Sequence, residues 1–124
     1  MVQHEAGERL AAGSGSKTYG IPSVLLSYWA SARVVDTVSN SVFLPRPRVS
    51  SALLKIQRYE TLPIDAPFDR YAALVRAGFG QRRKMLRRSL SGMLSEEEIE
   101  RAGIAPTDRA ENLTPEQWGI LASL

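Results

Sequence analysis

The chain has 124 residues, 44% hydrophobic and 23% charged, which are the proportions of an ordinary folded domain rather than a disordered or fibrous one. With no cysteine and a single histidine, His4, it has no means of building a disulfide framework, a thiolate metal site or a His-rich metal site, and no metal is expected. No apolar run approaches the roughly 18 to 20 residues of a membrane span, and Met1-Val2-Gln3-His4-Glu5 lacks the order of a signal peptide, so a cytoplasmic protein with no membrane partner is expected.

Residues 3–12 read as a short amphipathic helix that starts without a capping signal, with Leu10 and Ala11 on one side. His4, Glu5 and Glu8 are surface residues of that helix rather than catalysts. Gly13-Ser14-Gly15-Ser16 follows and reads as a flexible connector, since it lacks the Gly-Lys-Ser/Thr ending of a phosphate-binding loop. After Lys17-Thr18-Tyr19-Gly20, Pro22 and Ser23 open an apolar helix through Leu25, Leu26 and Trp29.

Residues 33–38 and 49–57 are β-branched and alternating, the second with Val49, Ser51, Leu53, Lys55 and Gln57 on one face and Ala52, Leu54 and Ile56 on the other. Phe43-Leu44-Pro45-Arg46-Pro47-Arg48 lies between them, and its prolines keep it out of either strand. Residues 59–67, with Pro63 and Pro67, form a linker by composition. It divides the chain into a mixed α/β part, residues 1–60, and a helical part, residues 61–124. Four helices are predicted after it, over residues 68–79, 81–94, 95–102 and 115–124. Capping boxes open the last two, Ser95 with Glu98 and Thr114 with Gln117. Gly78 and Gly80 are expected to bend the chain between the first two helices.

The net charge of +3 is unevenly distributed. Residues 70–92 hold seven basic side chains and no acidic one, whereas residues 93–124 hold seven acidic against two basic. On a helix over residues 81–94, Leu86, Leu90 and Met93 gather on one side while Arg83, Lys84, Arg87 and Arg88 spread over the other. Arginine forks fit phosphate oxygens, so this face suits RNA or another polyanion. The alternative is a solvated face paired with the glutamate-rich segment that follows.

The segments Val42-Phe43-Leu44-Pro45-Arg46-Pro47-Arg48-Val49-Ser50-Ser51-Ala52 and Ala77-Gly78-Phe79-Gly80-Gln81-Arg82-Arg83-Lys84-Met85-Leu86 resemble two hallmark stretches of the ribosomal RNA small-subunit adenine N6,N6-dimethyltransferase family. Met1-Val2-Gln3-His4-Glu5, Lys17-Thr18-Tyr19-Gly20 and Arg109-Ala110-Glu111-Asn112-Leu113 fall in the family's order and spacing. The resemblance implies the C-terminal third of a Rossmann-like methyltransferase domain followed by a small all-α domain. Its activity would be methyl transfer from S-adenosylmethionine to two adjacent adenines near the 3′ end of small-subunit rRNA, a step in ribosome biogenesis.

On this mapping Phe43 matches the aromatic that stacks on the target adenine, although the residues alone also allow it to be a core plug between the strands. Arg46 and Arg48 would meet phosphates, and Gln81, Arg82, Arg83, Lys84, Arg87 and Arg88 would face the rRNA. The family's glycine-rich cofactor motif and its Asn-Leu-Pro-Tyr motif occur nowhere in this sequence. S-adenosylmethionine is therefore expected to be bound by a missing N-terminal half, and this piece alone is expected to be inactive. Two alternatives remain open, a stand-alone RNA-binding module without catalysis and a related large-subunit rRNA adenine methylase. A chain cut from a larger sheet is also expected to associate with itself.

Overall fold

The structure, a computed structural model, describes residues 2–16, 18–38 and 51–124. In chain order its elements are β1 (Val2–Gln3), α1 (His4–Ala11), α2 (Ile21–Trp29), β2 (Ala30–Val38), β3 (Ser51–Arg58), α3 (Phe68–Gly80), α4 (Leu86–Ser89), α5 (Glu96–Arg101) and α6 (Pro115–Ala122), with a 3-10 turn at Ala110–Asn112 before α6. Phe43, Arg46 and Arg48 lie outside the described residues.

The two expected strands form an antiparallel pair, from Ala30 opposite Arg58 to Val38 opposite Ser51. A bulge falls at Val35, because Val34 faces Leu54 and Asp36 faces Leu53. β3 also pairs with β1, giving the order β1-β3-β2. Two residues are too few to show a period, so β1 was not foreseen. Helix α1 packs across β2 and β3. The expected alternation holds for Leu54, which is half-buried beside exposed Leu53 and Lys55, but Ile56 is 54% exposed.

Helix α2 starts where Pro22 implied. The Gly20 amide donates to Ser23 Oγ at 3.1 Å, and that hydroxyl donates to the Gly20 carbonyl at 3.0 Å. Its inner residues Val24 and Tyr28 join one buried cluster with Tyr71, Leu74, Val75, Leu86, Leu90, Trp118 and others from the helices after Arg58. Three phenols bind the two stretches of chain together. Tyr19 donates to the Leu113 carbonyl at 2.7 Å, Tyr71 to that of Val24 at 2.6 Å, and Tyr28 to that of Ala66 at 2.5 Å. The segment 59–67 contains no regular element, yet it buries Ile64 against Gly119, where a Cβ would come within 2.8 Å of the isoleucine.

Two local expectations need correction. Gly78 sits inside α3 and does not bend it; a Cβ there would lie 2.5 Å from the Trp118 ring, so glycine is what lets α6 pack this closely. Gly13-Ser14-Gly15-Ser16 is a turn with Gly15 at φ +84°, and it is tied down rather than loose, since the Gly15 amide donates to the Glu111 carbonyl at 2.8 Å.

Candidate nucleic-acid interface

The basic segment is not the continuous helix its apolar spacing suggested. Helix α3 ends at Gly80, residues 81–84 form a turn, Met85 is extended (φ −66°, ψ 154°), and only Leu86–Ser89 is helical. A straight helix would stack Arg83 over Arg87 and Lys84 over Arg88, like charges four residues apart that repel one another. The break is filled from elsewhere in the chain. The Leu86 amide donates to the Asp108 carbonyl at 2.7 Å and the Arg87 amide to that of Pro106 at 3.0 Å. Two backbone carbonyls thus cap α4, which has no side-chain cap of its own.

The apolar side of the segment behaves as expected. Leu86 and Leu90 are fully buried and Met93 is partly buried against the core. These anchors hold Gln81, Arg83, Lys84, Arg87 and Arg88 outward, and all five are exposed. Among the described residues no carboxylate forms an ion pair with Arg83, Lys84, Arg87 or Arg88, although Glu96, Glu97, Glu98 and Glu100 follow soon after in sequence. Among the described residues the glutamate-rich segment therefore forms no close ion pair with the basic one.

Arg82 is held differently. Its Nη2 donates to the Tyr19 carbonyl at 2.5 Å, Glu111 Oε2 lies 3.7 Å away, and the guanidinium sits 5.5 Å from the centre of the Phe79 ring. Arg82 thus joins the turn after α3 to the loop before α2 and to the turn at Ala110–Asn112. That last turn is a structural hub. Ala110 and Leu113 are buried, Asn112 Oδ1 accepts from the Arg109 amide at 3.0 Å, the Glu111 carbonyl accepts from the Gly15 amide, and the Leu113 carbonyl just after the turn accepts from the Tyr19 hydroxyl. The sequence marked 109–113 only as a familiar string; no local pattern announces that it ties down a loop some ninety residues earlier.

Next to Arg82 the chain encloses a half-open cavity of about 300 Å3, to which Arg9, Thr18, Ile21 and Phe79 also contribute. The sequence offered no signal for Arg9 as a site residue and marked Thr18 only as part of the string Lys17-Thr18-Tyr19-Gly20, because the two come to one cavity with Phe79 and Arg82 only in three dimensions.

The fold and this surface define an α/β protein whose helical part presents an exposed cluster of arginines and lysine that forms no ion pair among the described residues. The chain matches the family model described as ribosomal RNA adenine dimethylase over residues 1–123, and it belongs to that family. It is 50% identical over 121 residues to the ribosomal RNA small subunit methyltransferase A of Acidothermus cellulolyticus, covering 92% of this chain and 41% of that protein. It is 40% identical over 124 residues to the protein of the same name from Aliivibrio salmonicida, covering 99% of this chain and 45% of that one. The chain thus spans less than half the length of these curated relatives, and it matches their C-terminal portion.

Among solved structures it resembles a dimethyladenosine transferase from Plasmodium falciparum, with a TM-score of 0.74 and 22% identity, covering 96% of this chain and 53% of that one. It also resembles the 23S rRNA methyltransferase ErmE, with a TM-score of 0.73 and 21% identity, covering 98% of this chain and 51% of that one. At such identities the likeness shows a shared fold.

The family implies S-adenosylmethionine, and the described residues do not fit it. A nucleotide cofactor of an α/β sheet needs a glycine turn between a strand and the following helix. Here β1 passes directly into α1 at His4, β2 is followed by β3 rather than a helix, and the segment 59–67 between β3 and α3 contains no glycine. No residue of this chain is assigned to the cofactor. Among the described residues no helix is long and apolar enough to cross a membrane.

Proposed function

We propose that this chain is the rRNA-holding part of a small-subunit rRNA adenine N6,N6-dimethyltransferase that acts in the cytoplasm. The observation that carries this reading is the exposed, unpaired set Arg83, Lys84, Arg87 and Arg88, fixed over the buried Leu86 and Leu90, in a chain of the ribosomal RNA adenine dimethylase family. Several guanidinium and ammonium groups on one surface release counterions from a nucleic-acid backbone and so position it without reading its sequence. Gln81 borders that patch and adds an amide, and Arg82 contributes from its edge. In this reading residues 1–60 end a Rossmann-like methyltransferase domain and residues 61–124 form the helical domain. Phe43 offers its ring to the extruded adenine and Arg46 and Arg48 meet adjacent phosphates. S-adenosylmethionine is bound by a half of the enzyme outside this sequence. The two relatives at 40% and 50% identity, both named for the small subunit, favour that substrate over a large-subunit one.

Measuring affinity for small ribosomal subunits across a salt series tests the proposal. Replacing Arg83, Lys84 and Arg87 together with alanine is expected to weaken binding and to reduce the slope of log affinity against log salt by about 2 to 3. An unchanged slope returns the cluster to a solvated face. Calorimetry of this chain with S-adenosylmethionine is expected to show no binding, and micromolar binding would overturn the assignment of the cofactor to the other half. A stand-alone binding module is separated by the same calorimetry repeated on a form carrying the glycine-rich motif, where only the enzyme reading expects binding. The exposed Val35, Leu53 and Ile56, with β2 at one edge of the sheet, support self-association of the isolated chain, expected as a concentration-dependent mass in sedimentation.

A further inference from the structure

We infer that the cavity between α1 and the end of α3 is a second RNA subsite, seating one ribose-phosphate unit of a strand already held on Arg83, Lys84, Arg87 and Arg88; this rests on the RNA-binding reading above. Its volume of about 300 Å3 stands at the lower limit for ligand pockets, enough for a phosphate with its sugar and too little for a larger cofactor. Arg9 on α1 and Arg82 in the turn after α3 approach it from positions more than seventy residues apart, and each brings a planar fork that matches phosphate oxygens.

Neither guanidinium is used up. Of the five N–H donors on Arg82, the Tyr19 carbonyl takes one, and Glu111 at 3.7 Å is beyond hydrogen-bonding distance. Arg9 meets Glu5 at 3.1 Å in an exposed pair one helical turn apart, a contact worth little and readily exchanged. Thr18 is exposed and adds a hydroxyl, while Ile21 and Phe79 supply an apolar wall for the sugar.

The acidic neighbours Glu5 and Glu111 decide what kind of phosphate fits. They offset the two arginines, so a free anion gains little here. A strand tethered on the adjoining patch reaches the cavity at a high effective concentration and needs only a weak extra contact. Arg82 lines the cavity and is followed directly by Arg83 and Lys84, so the two surfaces are continuous.

The test measures binding of a single-stranded oligouridine of about 12 nucleotides to the full chain by anisotropy over a salt series, together with the Arg9 and Arg82 side-chain Nε–H signals by NMR. Arg9→Gln, at an exposed position, is expected to lower affinity roughly fivefold and to flatten the salt slope by about 0.7, with Arg9→Lys retaining the slope. Thr18→Val is expected to lower affinity about twofold. RNA is expected to move the Arg9 and Arg82 signals, whereas inorganic phosphate at equal phosphate concentration leaves them in place. If Arg9→Gln binds as the unaltered chain does while the Arg83, Lys84 and Arg87 alanine variant fails, the subsite is overturned and the basic patch stands. Equal displacement by free phosphate overturns the assignment to RNA. Absence of any binding by the unaltered chain overturns both.

Discussion

The basic segment and the acidic helix that follows it are neighbours in sequence and opposites in how they are held. Helix α5 is held by its own sequence. The Glu98 amide donates to Ser95 Oγ at 3.2 Å, and the Glu98 carboxylate accepts the Ser95 amide at 3.1 Å. Glutamates occupy its first turn and Arg101 its last, as the helix dipole favours, and Gly103 closes it at φ +81°. Helix α4 has none of these devices. No side chain caps it, no acidic residue lies in its first turn, and its amides are satisfied by carbonyls of Pro106 and Asp108 from another part of the chain. A surface crowded with cations works against the helix that carries it, so tertiary contacts supply what local sequence does not.

That contrast sets the expected sizes of perturbations. Leu86→Ala removes a fully buried anchor of the basic segment, and it is expected to cost about 2 to 5 kcal/mol in urea unfolding. RNA binding should fall with it if the patch depends on that anchor; retention of full affinity at a similar loss of stability would break the link between the two. Gly78→Ala forces a methyl group into the Trp118 ring and is expected to cost about 1 to 3 kcal/mol, because both α3 and α6 would have to shift. Ser95→Ala is expected to cost about 1 kcal/mol and to leave RNA binding unchanged, since the cap of α5 serves that helix alone. Weakened RNA binding in that variant would show that the acidic helix supports the basic segment after all.

The phenols provide a fourth test. Burial pushes the Tyr19 hydroxyl well above its ordinary value of 10.0, with Glu116 adding to the effect. Burial does the same for Tyr71, with Tyr19 and Glu116 adding to it. A group whose folded value is raised contributes stability that is present below its unfolded value and lost as pH rises beyond it. The urea midpoint is therefore expected to fall above about pH 10, and Tyr71→Phe is expected to make that fall shallower. An alkaline decline of the same steepness in the variant would assign it to other groups.

Much of the architecture was legible because it rests on local chemistry. The capping boxes at Ser95 and Thr114, Pro22 at the start of α2, and the alternation over 51–57 each led to the observed element. The family resemblance was legible for the same reason, since its motifs are contiguous strings, and the match over residues 1–123 agrees with it. The exposed side of the basic segment could be read from the positions of Leu86 and Leu90, because apolar side chains go inward whether the backbone between them is one helix or a turn and a shorter one.

Tertiary structure alone decided the rest. The break at Met85, the restraint of Gly15 by Glu111, the need for Gly78 beside Trp118 and the placement of Arg82 all depend on partners distant in sequence. Hydrogen bonds to another stretch of backbone have no sequence signature, since every residue offers the same carbonyl. Sequence therefore determined which residues carry charge and which stay inside, while packing decided how the backbone carries them and which arginine is anchored to the fold while it lines the cavity.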